Sequence, residues 1–220
     1  MSKFLAPIHT WLFNKIKLYE GLESDLVNAY TEKYGDNVKN LYKDIEEEHG
    51  YPLENKPIEE LIDVSNIHGW LQHKISLAET RQAAFITEIF NNHNNEEALN
   101  IALDLYAKQA RICAEEAKEK YQISTPEEMY NALNSYIIEG MPCDRVNDIT
   151  VSNEDKLQWE TALCLHKNYW DAANGDINVF YTLREAWIKA FIETLNSNFT
   201  YKVTHNATGT PVSVNEITKK

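Results

Sequence analysis

The chain has 220 residues, of which 43% are hydrophobic and 11% aromatic, enough to bury a substantial core, and its formal net charge is −13 at pH 7. This acidic balance argues against a surface that binds nucleic acid or an anionic membrane, because both need clustered Lys and Arg. No apolar stretch approaches the roughly 20 residues of a membrane span, no secretory signal is recognisable, and three widely spaced cysteines do not suggest disulfides, so we expect a cytoplasmic protein.

Hydrophobic periodicity predicts an all-helical first half. Pro7 suits the first turn of a helix, and Gly35 is expected to end it. Ser65 is the expected N-cap of a later helix. The predicted helices cover about residues 7–33, 37–48, 65–91 and 96–120, with a short helix over residues 58–64.

The second half mixes helices and strands. Thr125 and Glu128 form a capping box that starts a helix, and this helix is expected to end at Gly140. Alternation of apolar and polar residues predicts the strands. The remaining predicted elements are strands at residues 148–151 and 156–165, a helix capped by Asp176 that runs to residue 195, and a closing hairpin with strands at residues 199–205 and 211–217.

These elements predict an α+β fold, in which duplicated helical hairpins form a bundle and are followed by a small antiparallel sheet with packed helices. The predicted division is a helical bundle over residues 1–122 and an α+β region over residues 123–220. Because no flexible linker separates the halves, we expect one continuous body.

A segment of thirteen residues occurs twice in this chain in similar form, and the two copies align without a gap. The segment from Ile8 to Glu20 (IHTWLFNKIKLYE) returns from Ile67 to Glu79 (IHGWLQHKISLAE), and eight positions are identical. The identical residues include a His and a Glu, which a need for apolar packing alone would not preserve. A fixed offset of this kind indicates a repeated supersecondary unit, here a helical hairpin.

The repeat predicts that His9 and His68 lie at one level of two parallel helices. Helical bundles hold metal sites, and imidazole suits Zn or Fe, so these two residues are candidate ligands of a transition metal ion. His166, Cys143 or a carboxylate is the candidate third ligand. The alternative is that each His satisfies a helix start or a buried polar partner. Both lie in a first helical turn, where the helix dipole favours the neutral ring that either role needs.

Cys164 and His166 are the candidate catalytic residues. They lie two residues apart on the predicted strand, hence on one face and about 6–7 Å apart at the backbone. A neighbouring imidazole activates a thiol as a nucleophile. Glu160 lies on the same face and is the third candidate. The alternative is that Cys164 is inert packing, as most buried cysteines are.

Cys143, Asp144 and Arg145 form the candidate substrate-binding group, in the predicted loop over residues 140–145. Cys143 is also the second candidate for a reactive cysteine, because it lies in a loop beside charged residues. An anionic substrate would need a guanidinium to receive it, and Arg145 and Arg184 are the candidates.

The run from Asp148 to Tyr169 resembles a part of the L-2-amino-thiazoline-4-carboxylic acid hydrolase-like proteins, in which a strand ends in a Cys followed by an aromatic-rich segment. The following helix and the run from Phe199 to Gly209 resemble that family's closing helix and strand. The likeness covers about residues 145–217. It implies hydrolytic opening of a small ring that contains sulfur and nitrogen, with Cys164 at the family's cysteine position.

These patterns together predict a small-molecule hydrolase that acts on a C–N bond through a Cys/His site. Two other functions stay open: a His-ligated metal-binding helical-bundle protein with a redox or sensor role, and a non-catalytic protein that binds a small ligand. The expected partners are a small-molecule substrate or ligand and further copies of the chain in a homo-oligomer. The expected cofactor, if the metal function holds, is Zn or Fe.

Overall fold

The structure is a computed structural model that describes residues 6–206, 210 and 212–220. Within these residues the chain forms eight helices and one four-stranded antiparallel sheet, which confirms the predicted α+β class. The helices are α1 (Pro7–Tyr34), α2 (Asn37–His49), α3 (Ile58–Leu61), α4 (Ile67–Asn92), α5 (Asn95–Lys120), α6 (Pro126–Leu133), α7 (Lys167–Ala172) and α8 (Ile177–Leu195). The strands are β1 (Asn147–Ser152), β2 (Lys156–Thr161), β3 (Phe199–His205) and β4 (Ser213–Lys219).

The chain divides into two compact units, each built from separated segments. Unit 1 comprises the chain up to Ala102, Ile137–Met141 and His166–Ile177. Unit 2 comprises Leu103–Tyr136, Pro142–Leu165 and Asn178–Lys220. The predicted boundary near residue 122 and the predicted single body stay predictions.

Unit 1 is built around α1 and α4, which run parallel. The parallel direction follows from three pairs of side chains in contact along their length: His9 with His68, Phe13 with Trp70, and Tyr30 with Phe85. α2 packs against both helices, and α7 packs against α4. The core at one end of this unit consists of Leu12, Phe13, Ile16, Ile58, Ile62, Leu71, Ile75, Ala78, Ile138 and Met141.

The start of α4 differs from the predicted start by one residue. Asn66, not Ser65, is the N-cap, and its side-chain oxygen accepts a hydrogen bond from the backbone N–H of Gly69. Ser65 instead donates its hydroxyl to Asp63. A Cβ at position 69 would lie 2.2 Å from the Asn66 side chain, so this cap requires glycine where the first copy of the repeat has Thr10.

Unit 2 contains the sheet, whose strand order is β1-β2-β4-β3. The two predicted hairpins are joined by antiparallel pairing of β2 with β4, in which Trp159 lies opposite Asn215. α6 packs against β2 and β4. Trp159 is buried between Tyr130 and Tyr201, at ring-centroid distances of 4.8 and 6.0 Å.

Predicted boundaries of three elements in the second half are wrong. β4 ends at Lys219 rather than residue 217, and its predicted start at residue 211 lies outside the described residues. α6 ends at Leu133 rather than Gly140, because the amides of Ser135 and Tyr136 bond to carbonyls three residues back rather than four. β2 ends at Thr161 rather than residue 165, and a bend leads into α7, which the sequence pattern did not predict.

Candidate functional site

The two copies of the repeat bring their histidines together at the N-terminal ends of α1 and α4. The Nε2 atoms of His9 and His68 are 3.3 Å apart, and the two rings meet edge to face. His9 is half-buried and His68 is exposed. The prediction that the two imidazoles share one level is therefore confirmed.

The second ring nitrogen of His9 has a backbone partner. The N–H of Ala6 donates to His9 Nδ1 at 3.1 Å, which satisfies a donor at the start of α1. Because Nδ1 accepts this bond, the proton of the neutral ring is on Nε2, and Nε2 is the donor to His68. Burial, and secondarily the charge of His68, lower the pKa of His9 below its usual value, so the neutral ring is favoured.

The predicted third metal ligand is not found in the described part of the chain. No three His, Cys, Asp or Glu side chains there converge on a point that a metal ion could occupy. His166 lies instead against Glu79, and Cys143 is exposed in its loop. Within the described residues, His9 and His68 therefore have no third protein ligand beside them, and the predicted metal site stays a prediction.

The repeated Trp and Lys keep the same relation in both copies. Lys15 lies over the ring of Trp11 at 3.5 Å, and Lys74 lies over the ring of Trp70 at 5.7 Å. A spacing of four residues places both members on one side of a helix. These pairs are cation–π contacts that serve packing.

The repeated Glu has a different partner in each copy. Glu20, on α1, accepts a hydrogen bond from Arg81 and another from the backbone N–H of Leu53. Glu79, on α4, contacts the imidazole of His166. One repeated residue therefore contributes to two separate buried ionic clusters.

The first of these, the Arg81 cluster, consists of Arg81, Glu20, Glu23 and the carbonyl of Gly50. The guanidinium is 0% exposed and donates to all three partners at 2.7–3.1 Å. Burial raises the pKa of the Glu23 carboxyl to about 7, and Arg81 opposes that rise. The cluster joins α1, α4 and the segment after α2, so its role is to hold unit 1 together.

The second, the His166 cluster, consists of His166, Glu79 and Glu139. His166 Nδ1 lies 2.5 Å from Glu79 Oε2, and His166 Nε2 lies 3.6 Å from Glu139 Oε1. His166 and Glu79 are buried, whereas Glu139 is half-buried. An imidazole between two carboxylates can accept a proton at one ring nitrogen and donate one from the other, as general acid–base catalysis requires.

Polar side chains continue from this cluster along the contact between α4 and α7. Ser76 lies one helical turn before Glu79, and Tyr169 lies three residues after His166. Their oxygen atoms are 3.2 Å apart, and the amide of Gln72 lies 3.4 Å from the Tyr169 hydroxyl. All three residues are half-buried, so this polar seam, formed by Gln72, Ser76 and Tyr169, is partly accessible to solvent.

The strand on which Cys164 and His166 were predicted to share a face ends at Thr161, before both residues, so their pairing stays a prediction. Both residues follow the end of β2, so the alternation of a strand does not place them on one face. Cys164 is half-buried in unit 2, while His166 begins the segment that contains α7 in unit 1. Glu160 remains on β2, opposite Asp148 and Val214.

The predicted substrate-binding residues Cys143, Asp144 and Arg145 are all exposed in the loop before β1. Arg145 has a φ of 47°, a left-handed conformation that is uncommon for a residue with a side chain. Cys113, the third cysteine, is buried in α5, and burial raises the pKa of its thiol to about 12.

In comparisons with known proteins, no family model, no curated protein and no solved structure matches the chain. The resemblance to the thiazoline-carboxylate hydrolases therefore stays a prediction. Across the described residues, no helix is both long enough and apolar enough to cross a bilayer.

Sequence reasoning identified His166 but missed its two carboxylates. Glu79 had a signal, since it is one of the eight identical residues of the repeat, although its partner lies 87 residues away. No sequence signal marked Glu139 as a site residue, because the pattern placed it at the end of a predicted helix. The sequence pattern placed Tyr169 in an aromatic-rich run and did not indicate its contacts with Ser76 and Gln72.

Proposed function

We propose that this protein is a small-molecule hydrolase that acts on a C–N bond, with His166 as the group that transfers protons. The observation that carries the proposal is the buried contact of His166 Nδ1 with Glu79, together with the second carboxylate of Glu139 near Nε2. A carboxylate at one ring nitrogen orients the imidazole and stabilises its protonated form, as in other His-dependent hydrolases.

The proposed nucleophile is water, because Glu139 lies 3.6 Å from Nε2 of His166 and its carboxylate can accept a proton from a water molecule beside the ring. The oxygen of the water bonds to the substrate carbon while Glu139 accepts a proton from that water. The C–N bond then breaks, and the departing nitrogen takes the Nε2 proton of the imidazolium. Transfer of the proton from Glu139 to Nε2 restores the starting state, so that one water is consumed for each bond broken.

The polar seam supplies groups that would orient a substrate. The hydroxyls of Ser76 and Tyr169 and the amide of Gln72 can each donate or accept a hydrogen bond. They lie beside the His166 cluster on α4 and α7. Such a set favours a small polar molecule over an apolar one.

The test is an assay of amine or ammonia release from a panel of small amides and of five-membered rings that contain sulfur and nitrogen. We expect His166→Asn and Glu139→Gln to lower kcat/KM by about 10²- to 10⁴-fold. Glu160→Gln and Cys164→Ser are the matched controls and should retain activity. Far-UV circular dichroism checks that each variant is folded.

Each other outcome has a defined meaning. Loss of activity in Cys164→Ser, with activity retained in Glu139→Gln, would indicate that the nucleophile is the cysteine and not water. Turnover that is unaffected by His166→Asn would refute the assignment of this cluster. No release of nitrogen from any compound would favour the non-catalytic ligand-binding function.

A further inference from the structure

We infer that His9 and His68 form an open two-nitrogen site for a divalent transition-metal ion such as Zn²⁺, with both rings coordinating through Nε2. The site is distinct from the His166 cluster and does not depend on the proposed hydrolase activity. Its ligands come from equivalent positions of the repeated segment, on two helices that run parallel.

The distance between the two nitrogen atoms fits a chelate. A Zn²⁺ ion bonds imidazole nitrogen at about 2.0–2.1 Å with tetrahedral angles, which places two such nitrogens roughly 3.3–3.4 Å apart. The observed Nε2–Nε2 separation is 3.3 Å. The two nitrogen atoms are therefore already at the separation that a shared Zn²⁺ ion requires.

The surroundings also suit an ion that reaches the site from solvent. His68 is exposed and His9 is half-buried, so water can complete the coordination sphere.

Metal binding and helix capping by His9 exclude each other. In the metal-free ring, Nδ1 accepts the N–H of Ala6 and Nε2 carries the proton. Coordination through Nε2 moves that proton to Nδ1, which can then no longer accept from Ala6. Occupancy of the site should therefore release the amide of Ala6 at the start of α1.

The test is calorimetric titration of the full, tag-free chain with Zn²⁺ at pH 7.5. Replacing one histidine of a chelating pair leaves a single ligand, so His9→Gln and His68→Ala should each weaken binding by about a hundredfold. His9→Gln is the informative variant, because glutamine at this position retains the bond to the cap amide while removing the imidazole. His73→Ala, an exposed histidine of the same helix, is the matched control and should bind as the wild type does.

A second readout is amide hydrogen exchange of Ala6, which should become faster when Zn²⁺ is added to the wild type and should not change in His68→Ala. Equal affinity of the wild type and His9→Gln would refute the site. An equal loss of affinity in His73→Ala would also refute it. Tight binding without a change at Ala6 would refute the competition between capping and coordination.

Discussion

Unit 1 buries two ionic clusters that use the same position of the repeated segment and differ in the cation. Glu20 binds a guanidinium that keeps its proton at every physiological pH, whereas Glu79 binds an imidazole that can release one. Solvent reaches the Arg81 cluster less than the His166 cluster, because the side chain of Glu20 is 9% exposed and that of Glu139 is 21% exposed. A buried charge is therefore a poor marker of a reactive site unless its partner can titrate and solvent can approach.

The largest effect is expected from removing the guanidinium of Arg81, which tests whether the Arg81 cluster is structural. Arg81→Met leaves the carboxylates of Glu20 and Glu23 buried without their cation, and we expect the free energy of unfolding to fall by about 3–5 kcal/mol. Urea denaturation at pH 8 measures it. The double variant Arg81→Met, Glu23→Leu should recover much of the loss, and a single variant as stable as the wild type would contradict the structural role of this cluster.

The pH dependence of stability tests the electrostatics of Glu23. Its pKa is about 7 in the folded protein and 4.5 ordinarily, so between these values the folded state holds a proton that the unfolded state has released. This contribution is fully present below pH 4.5 and is lost as the pH rises through 7, by about 3 kcal/mol. Denaturation at several pH values should show this slope in the wild type and not in Glu23→Gln. A difference between the two that stays constant from pH 5 to 8 would contradict the raised pKa.

At the His166 cluster the two carboxylates should differ. Glu79→Ala removes the buried partner of the ring and should lower the free energy of unfolding by about 1–3 kcal/mol. Glu139→Ala changes a half-buried residue and should cost about 0.5 kcal/mol or less. Thermal and chemical denaturation of the two variants side by side decide this. Equal losses would mean that both carboxylates are structural, and the proposed division of roles would not hold.

The smallest expected effect concerns the start of α1. His9→Ala removes the acceptor for the Ala6 amide and should cost about 1 kcal/mol. His9→Gln should cost only a few tenths, because the glutamine side chain can accept the same bond. If both variants lose equally, the contact with His68 rather than the cap accounts for the contribution of His9.

Local rules predicted most of the helices, and the repeat predicted one tertiary feature. Pro7, Gly35 and the capping box at Thr125 act within one helical turn, so they are readable in the sequence. The parallel contact of α1 with α4 followed from comparing two copies of one segment. The sheet hairpins followed from alternation and turn residues.

The candidate site was only partly predictable, because its contacts join distant parts of the chain. His166 was assigned to a strand on the basis of alternation, but the strand ends five residues earlier, at Thr161. Nothing within a few residues of His166 indicates that its partners are Glu79 and Glu139. Those partners are set by packing between elements far apart in sequence, which periodicity does not encode.

The rates at which the three cysteines of unit 2 react with a thiol reagent can report how often this unit opens. Cys143 is exposed, Cys164 is half-buried, and Cys113 is buried with a pKa raised to about 12. A thiol-reactive dye would modify them in that order, and the slowest phase would report how often the interior near α5 becomes accessible. Such a recording needs no engineered residue and leaves both ionic clusters of unit 1 chemically untouched.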